Sequence, residues 1–253
     1  MKSFSDKELI VFDLDGTLTE SKAPMKRDMA QMLARLLKSK KVAVIGGGSY
    51  EQFRKQLIGH LDVPREQLSG LFLFPTTSTS FYRYQSGWKK VYRKVLSAAE
   101  KKKIMTAFSF AFKEKGYRHP EKHWGKIIED RASQITFSAL GQKAPVEAKA
   151  QWNKTNDVRP ALMKIMQGRL LGFEVRRGGL TSIDVTHKGI DKAYGVRQIK
   201  KVLKIPIAKM LFVGDALYPG GNDYAAKRTG VRCIAVRGPE DTKKIIKKIL
   251  SRA

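Results

Sequence analysis

Two carboxylates stand two residues apart in Val11-Phe12-Asp13-Leu14-Asp15-Gly16-Thr17-Leu18-Thr19, directly after the apolar run Leu9 to Phe12. If that run is a buried strand, Asp13 and Asp15 leave its carboxyl end, where ligands bind in open α/β sheets. A carboxylate there can attack phosphorus and carry it as an aspartyl-phosphate. A second one can pass protons to and from the attacking and leaving oxygens. Taken alone, Asp-x-Asp before a glycine is equally an ordinary solvated turn. Two carboxylates facing a phosphate dianion would repel it, so this chemistry calls for a hard, oxygen-seeking cation.

A second loop fits that need. Phe212-Val213-Gly214-Asp215-Ala216-Leu217-Tyr218-Pro219-Gly220-Gly221-Asn222-Asp223 gathers two carboxylates, an amide and two consecutive glycines after an apolar run. Glycines let the backbone approach a ligand closely, and hard cations take oxygen ligands. Gly46-Gly47-Gly48-Ser49 precedes a helical pattern and is suited to hold phosphate through the amides of Gly47 and Gly48 and the Ser49 hydroxyl.

The D-L-D-G-T-L-T string resembles the nucleophile motif of the haloacid dehalogenase-like phosphotransferases. Across V-A-V-I-G-G-G-S, S-I-D-V-T-H-K-G-I-D-K and V-G-D-x4-P-G-G-N-D the chain is similar to the eukaryotic-type phosphomannomutase family, within the branch that carries a Cof-type (IIB) cap. The resemblance implies that Asp13 is the nucleophile and Asp15 the acid/base. It also implies a Mg2+ held by Asp13, the Asp15 carbonyl and Asp215, with Asn222 and Asp223 completing or orienting the site. Lys192 is the expected charge-neutralising contact to the nucleophile and phosphate. In the insert, Ser182 and Asp184 match residues near the substrate, and Arg131 matches a cap arginine. Where the family reads S-P-I-G-R this chain has Ser138-Ala139-Leu140-Gly141-Gln142, so an arginine expected to grip the distal phosphate is replaced by Gln142. Glutamine has neither charge nor bidentate fork. Thr76-Thr77-Ser78 likewise replaces the Asn-Gly pair that usually follows the third strand. The loss at 142 favours a phosphatase of phosphorylated sugars, with a phosphomannomutase interconverting hexose 6-phosphate and hexose 1-phosphate as the alternative.

These residues need a scaffold. Strands at Leu9 to Phe12, Lys41 to Ile45 and Leu71 to Phe74 alternate with helical patterns from Lys26 to Lys38 and from Tyr50 to about Ile58. The alternation returns after Gly189, with a helix from Lys192 to Leu203, strands at Met210 to Val213 and Cys233 to Val236, a helix from Tyr224 to Lys227 and a terminal helix from Asp241 to Leu250. This rhythm predicts an α/β core with a Rossmann-like, doubly wound parallel sheet. Between its halves, strands bunch around a hairpin at Phe81 to Tyr92 and helical patterns at Ser97 to Lys115 and Val158 to Met166. That predicts an inserted α+β cap at 81–187, with the core in 1–80 and 188–253.

Composition sets the remaining expectations. Fifty Lys and Arg against 23 Asp and Glu give a formal charge of +27, a field that attracts anions of any kind. No zinc finger or aromatic ribonucleoprotein motif accompanies it, which argues against a dedicated nucleic-acid reader. One cysteine, Cys233, excludes an intramolecular disulfide and fits a reducing compartment. No apolar stretch approaches the roughly 20 residues that span a bilayer. A soluble cytoplasmic protein acting on a sugar phosphate, with a homodimer formed through the cap as a further expectation, is the resulting picture.

Overall fold

The computed structural model describes residues 4–155 and 157–251. Its chain divides into two compact units, Met1–Arg93 with Asp191–Ala253, and Lys94–Ile190.

In the larger unit seven strands form one sheet: β1 (Leu9–Asp13), β2 (Lys41–Ile45), β3 (Leu71–Phe74), β4 (Ser80–Tyr84), β5 (Trp88–Arg93), and, after the insert, β10 (Met210–Gly214) and β11 (Arg232–Ala235). Their order is β11-β10-β1-β2-β3-β4-β5. The five from β11 to β3 run parallel, and β4 and β5 are antiparallel additions. Because side chains alternate across a strand, each central strand feeds two cores. Ile10, Phe12, Val42, Val44, Leu71, Leu73, Leu211 and Val213 pack with Leu33 and Leu36 of the Arg27–Leu37 helix and Ile246 and Ile249 of the Pro239–Leu250 helix. Leu9, Val11, Ala43, Ile45, Phe72, Phe74, Met210 and Phe212 pack with Val196 and Ile199 of the Lys192–Leu203 helix. A strand buried on both faces reads as a continuous apolar run, which is why these strands stand out in the sequence.

The boundary at 81 needs correcting. Bunched strands suggested that the Phe81 to Tyr92 hairpin opens the insert, but β4 pairs with β3 and extends the larger sheet. Tyr82 stacks on Tyr50 at 3.9 Å between ring centroids, and Phe81 stacks on Phe74 at 4.6 Å. Those non-local aromatic contacts decide sheet membership, and the division falls at Lys94 and Ile190 rather than at 81 and 187.

The smaller unit carries β6 (Ile128–Asp130), β7 (Ile135–Ser138), β8 (Phe173–Arg177) and β9 (Ser182–His187) in one antiparallel sheet ordered β6-β7-β9-β8. Ile135, Phe137, Ile183 and Val185 turn one face to Ile104 and Phe108 of the Ala98–Lys115 helix and to Leu162 and Met166 of the Arg159–Arg169 helix. Among the described residues no helix is long and apolar enough to cross a membrane. Cys233 is half-buried, and burial pushes its thiol up to about 11.

Candidate active site

The sheet order makes β1 and β10 neighbours although 201 residues separate Leu9 from its partner Met210. The chain leaves β1 toward β2 on one side and returns to β10 on the other. The gap between them is therefore the point where strand order reverses, the usual ligand position in such sheets. Asp13 ends β1, and Asp215 follows β10. Two glycines make the closeness possible. Gly16 has φ +84°, and a Cβ there would lie 2.6 Å from Asp215 Oδ2; a Cβ on Gly214 would lie 2.3 Å from Asp223 Oδ2. The loop after β10 returns Asp223 beneath its own start, where Asp223 Oδ2 accepts from the Ala216 amide at 3.1 Å. Carboxylate oxygens of Asp13, Asp215 and Asp223 come within 4.8 Å of one another.

One cation enters this group from the chain. Asp191 caps the Lys192–Leu203 helix by accepting from the Tyr194 amide at 2.7 Å, which fixes Lys192 in the first turn. Lys192 is 3% exposed, bonds Asp13 Oδ1 and lies 2.9 Å from Asp223 Oδ1. Burial drives the Asp13 carboxyl well above the ordinary carboxylate range; Lys192 opposes this, while Asp223 and Asp215 add to it. Asp215 is raised for the same reasons, burial first and Asp223 second. Burial works against the Lys192 ammonium, yet Asp13 and Asp223 outweigh it and its pKa ends raised. Three carboxylates against one ammonium leave two uncompensated negative charges when all are ionised. An all-oxygen donor set with that excess fits a hard dication such as Mg2+. Asn222, expected beside it, is exposed on the loop.

Asp15 points elsewhere. Its Oδ1 accepts from the Lys22 amide at 2.6 Å and from Gln56 Nε2 at 3.0 Å. Neither Gln56 nor Thr17, whose hydroxyl donates to Asp215 Oδ1 at 3.3 Å, is singled out by sequence reasoning. Thr17 lies inside the motif that was read, whereas Gln56 carries no local signal at all.

The Gly-rich turn is braced by a strained one. Ser49 caps the Tyr50–Gln56 helix: its hydroxyl accepts from the Gln52 amide at 3.3 Å, and its own amide donates to Gln52 Oε1 at 2.9 Å. That reciprocal cap commits the Ser49 amide to Gln52, so what Ser49 can offer a phosphate is its hydroxyl proton. Thr76, Thr77 and Ser78, standing where the family has Asn-Gly, have φ of +48°, +55° and +67°. The Thr76 and Thr77 amides donate to the Gly48 and Gly46 carbonyls at 2.8 and 2.9 Å, and Ser78 fits against Gly195 of the Lys192–Leu203 helix. Left-handed backbone costs about 1–2 kcal/mol per non-glycine residue and survives where its surroundings over-determine it. Thr77→Gly should therefore raise unfolding stability by about 1 kcal/mol, read as a higher urea midpoint at unchanged slope. A lower midpoint would show that the threonine side chain contributes more than its backbone costs.

In the smaller unit the face of the sheet opposite its apolar core is polar. Cross-strand partners Thr136 and Asp184 share a 2.7 Å hydrogen bond, and the partners Ser138 and Ser182 share another at 2.7 Å. Arg131 donates through Nε to Glu129 at 2.8 Å and through Nη2 to Gln142 Oε1 at 3.1 Å. The structure thus brings Arg131 to Gln142 and aligns Ser182 with Asp184 on the same strand.

Comparison with known proteins places this geometry. The family model for eukaryotic phosphomannomutases matches residues 29–252. The chain belongs to that family. It is an enzyme family of the haloacid dehalogenase-like superfamily, and similarity to relatives named phosphomannomutase extends over nearly the whole chain. The chain is 29% identical to a phosphomannomutase of Encephalitozoon cuniculi, covering 94% of this chain and 91% of that one. It is 26% identical to a probable phosphomannomutase of Caenorhabditis elegans, covering 97% and 96%. Among solved structures, a Plasmodium falciparum IMP-nucleotidase aligns with TM-score 0.71 at 19% identity over 98% of this chain and 71% of that one. An Aspergillus fumigatus trehalose-6-phosphate phosphatase aligns at 0.53 with 17% identity over 97% and 93%. These structural likenesses establish the shared α/β fold.

Proposed function

We propose that this family member is a Mg2+-dependent phosphomannomutase, moving a phosphoryl group between the 1- and 6-oxygens of a hexose. The supporting observation is Asp13, buried at the carboxyl end of β1 against Lys192, in a chain that aligns over nearly its full length with proteins named phosphomannomutase. The relatives favour isomerisation over the hydrolysis that Gln142 suggested.

In this reading an Asp13 oxygen attacks phosphorus, the bond from phosphorus to the sugar oxygen breaks, and Asp15 supplies the proton that the departing oxygen takes. In the return step a sugar hydroxyl attacks the aspartyl-phosphate, gives its proton to Asp15 and frees the Asp13 carboxylate. Lys192 holds the Asp13 carboxylate and offsets charge on the transferring group. Asp13, the Asp15 carbonyl, Asp215 and Asp223 would hold Mg2+, which would supply further neutralisation of charge on the phosphate oxygens. Gly47, Gly48 and Ser49 contribute donors to the same phosphate. We assign Ser182 and Asp184 to the sugar, and Arg131 to the distal phosphate.

Hydrolysis stays as a second reading because a specific observation favours it: the second cation expected beside Arg131 is Gln142, which accepts from Arg131 instead of adding charge. A lost charge-assisted phosphate contact costs about 1.5–3 kcal/mol, or one to two decades in retention of a bisphosphate intermediate. The test supplies hexose 1-phosphate and catalytic hexose bisphosphate with Mg2+ and follows both isomer and inorganic phosphate. Isomer should form faster than phosphate, and Gln142→Arg should raise that ratio about tenfold. Phosphate outpacing isomer in the parent would make the enzyme a phosphatase.

A further inference from the structure

We propose that Gln56 is a positioning residue that aims the Asp15 carboxyl group for proton transfer, an inference that rests on the acid/base role given to Asp15 above. Gln56 ends the Tyr50–Gln56 helix and lies 41 residues from Asp15, yet it is only 5% exposed and directed at that carboxylate. Its Nε2 donates to Asp15 Oδ1 at 3.0 Å and to the Ala23 carbonyl at 3.3 Å. Its backbone carbonyl accepts from the Met25 amide at 2.8 Å. Rotating the amide by half a turn would set its oxygen against both the carboxylate and the Ala23 carbonyl, acceptor facing acceptor. The donor assignment therefore follows from chemistry as well as from position.

Asp15 Oδ1 takes a second hydrogen bond from the Lys22 amide at 2.6 Å, in a turn where Lys22 has φ +58°. Two N–H donors on one oxygen fix the plane of the carboxyl group and leave Oδ2 as the oxygen that exchanges a proton with the sugar. Through Ala23 the same side chain also binds the segment that supplies the Lys22 donor, and the Gln56 backbone carbonyl holds that segment again at Met25, a bond that a side-chain variant keeps. Such orientation matters because a misplaced acid is a weak one: transfer needs heavy atoms at about 2.6–3.2 Å in the reacting geometry.

A glutamine that only braced the loop would affect all substrates alike, whereas one that aims an acid matters most when the leaving oxygen needs its proton. The experiment compares hexose 1-phosphate, a poor leaving group, with nitrophenyl phosphate, a good one, in single turnovers that read only the first transfer. Gln56→Met keeps length and burial and removes both N–H donors. It should slow transfer from the hexose phosphate about 10–50-fold and from the aryl phosphate less than about threefold, with KM for both nearly unchanged. Gln56→Glu keeps the reach but replaces the donors with acceptors, and should show the same selectivity. Equal loss for the two substrates, or failure of both variants to fold, assigns Gln56 to the loop alone and overturns the inference. Asp15→Asn, run alongside, separates the two levels. If it discriminates between leaving groups and the Gln56 variants do not, only the positioning role falls; if it does not discriminate, the acid/base role of Asp15 falls and that of Gln56 with it.

Discussion

Asp13→Asn should lower phosphoryl transfer by more than about a thousandfold while leaving the fold intact. The amide has the shape of the carboxylate but is a poor nucleophile, so no aspartyl-phosphate forms. Folding should tolerate the change, because Lys192 keeps Asp223 at 2.9 Å as a partner. Burial already works against an ionised Asp13, and Asp223 and Asp215 repel it. Replacing a carboxyl whose charged form these surroundings disfavour should leave the melting temperature in chelator equal to or above that of the parent. Activity of the purified variant within tenfold of the parent would remove Asp13 from the nucleophile's role. A large fall in melting temperature would mean that Asp13 is a structural partner of Lys192 first.

Lys192→Met is the opposite experiment on the same pair. It should cost about a hundredfold to a thousandfold in transfer, the scale for removing one preorganised charge contact. It should also destabilise the metal-free protein by about 3–5 kcal/mol near neutral pH, because Asp13 and Asp223 are left buried without their cation. The pH dependence has a definite sign. The folded Asp13 carboxyl titrates above its unfolded value, so the native state keeps a proton that the unfolded chain has released. Stability attached to this group therefore falls as pH rises above the unfolded carboxylate value of about 3.9 and toward the raised folded one. Without Lys192 the carboxyl loses its main counter-charge, so the deficit should be small near pH 4 and grow toward pH 8. Millimolar Mg2+ should recover part of it at the upper end, since a dication replaces the missing positive charge. Melting curves at these two pH values, with chelator and with Mg2+, check this. A deficit that does not change with pH would mean that the Asp13 carboxyl does not change its charge over this range.

The two experiments probe a site whose parts were unequally visible beforehand. Asp13, Asp15, Gly16 and Asp215 were legible because their constraints are local. A strand buried on both faces writes a continuous apolar run, a sharp turn writes glycine, and a carboxylate between them stands out. Helix starts were legible for the same reason: Ser49 with Gln52, and Ser97 with Glu100, form caps spanning three residues. The helix Val146–Thr155 leaves little mark in the sequence because Lys149 and Trp152 supply its buried positions, a pattern with almost no amphipathic signature. The three-residue strand Ile128–Asp130 is too short to show an alternation.

The parallel βα rhythm, the motif carboxylates at strand ends and the insertion of a second unit between two halves of the first are all written in the order of residues along the chain. Which groups share a surrounding follows instead from packing. Tyr82 stacking on Tyr50 drew the hairpin into the larger sheet, the glycine at 16 let Asp215 close on the first loop, and Lys192 met Asp13 across 179 residues of chain. Gln56 reached Asp15 by the same route. Periodicity, caps and turns act over a few residues and leave their mark in order. Partnership among buried charges and amides is settled by how the cores pack, where distance along the chain carries no information.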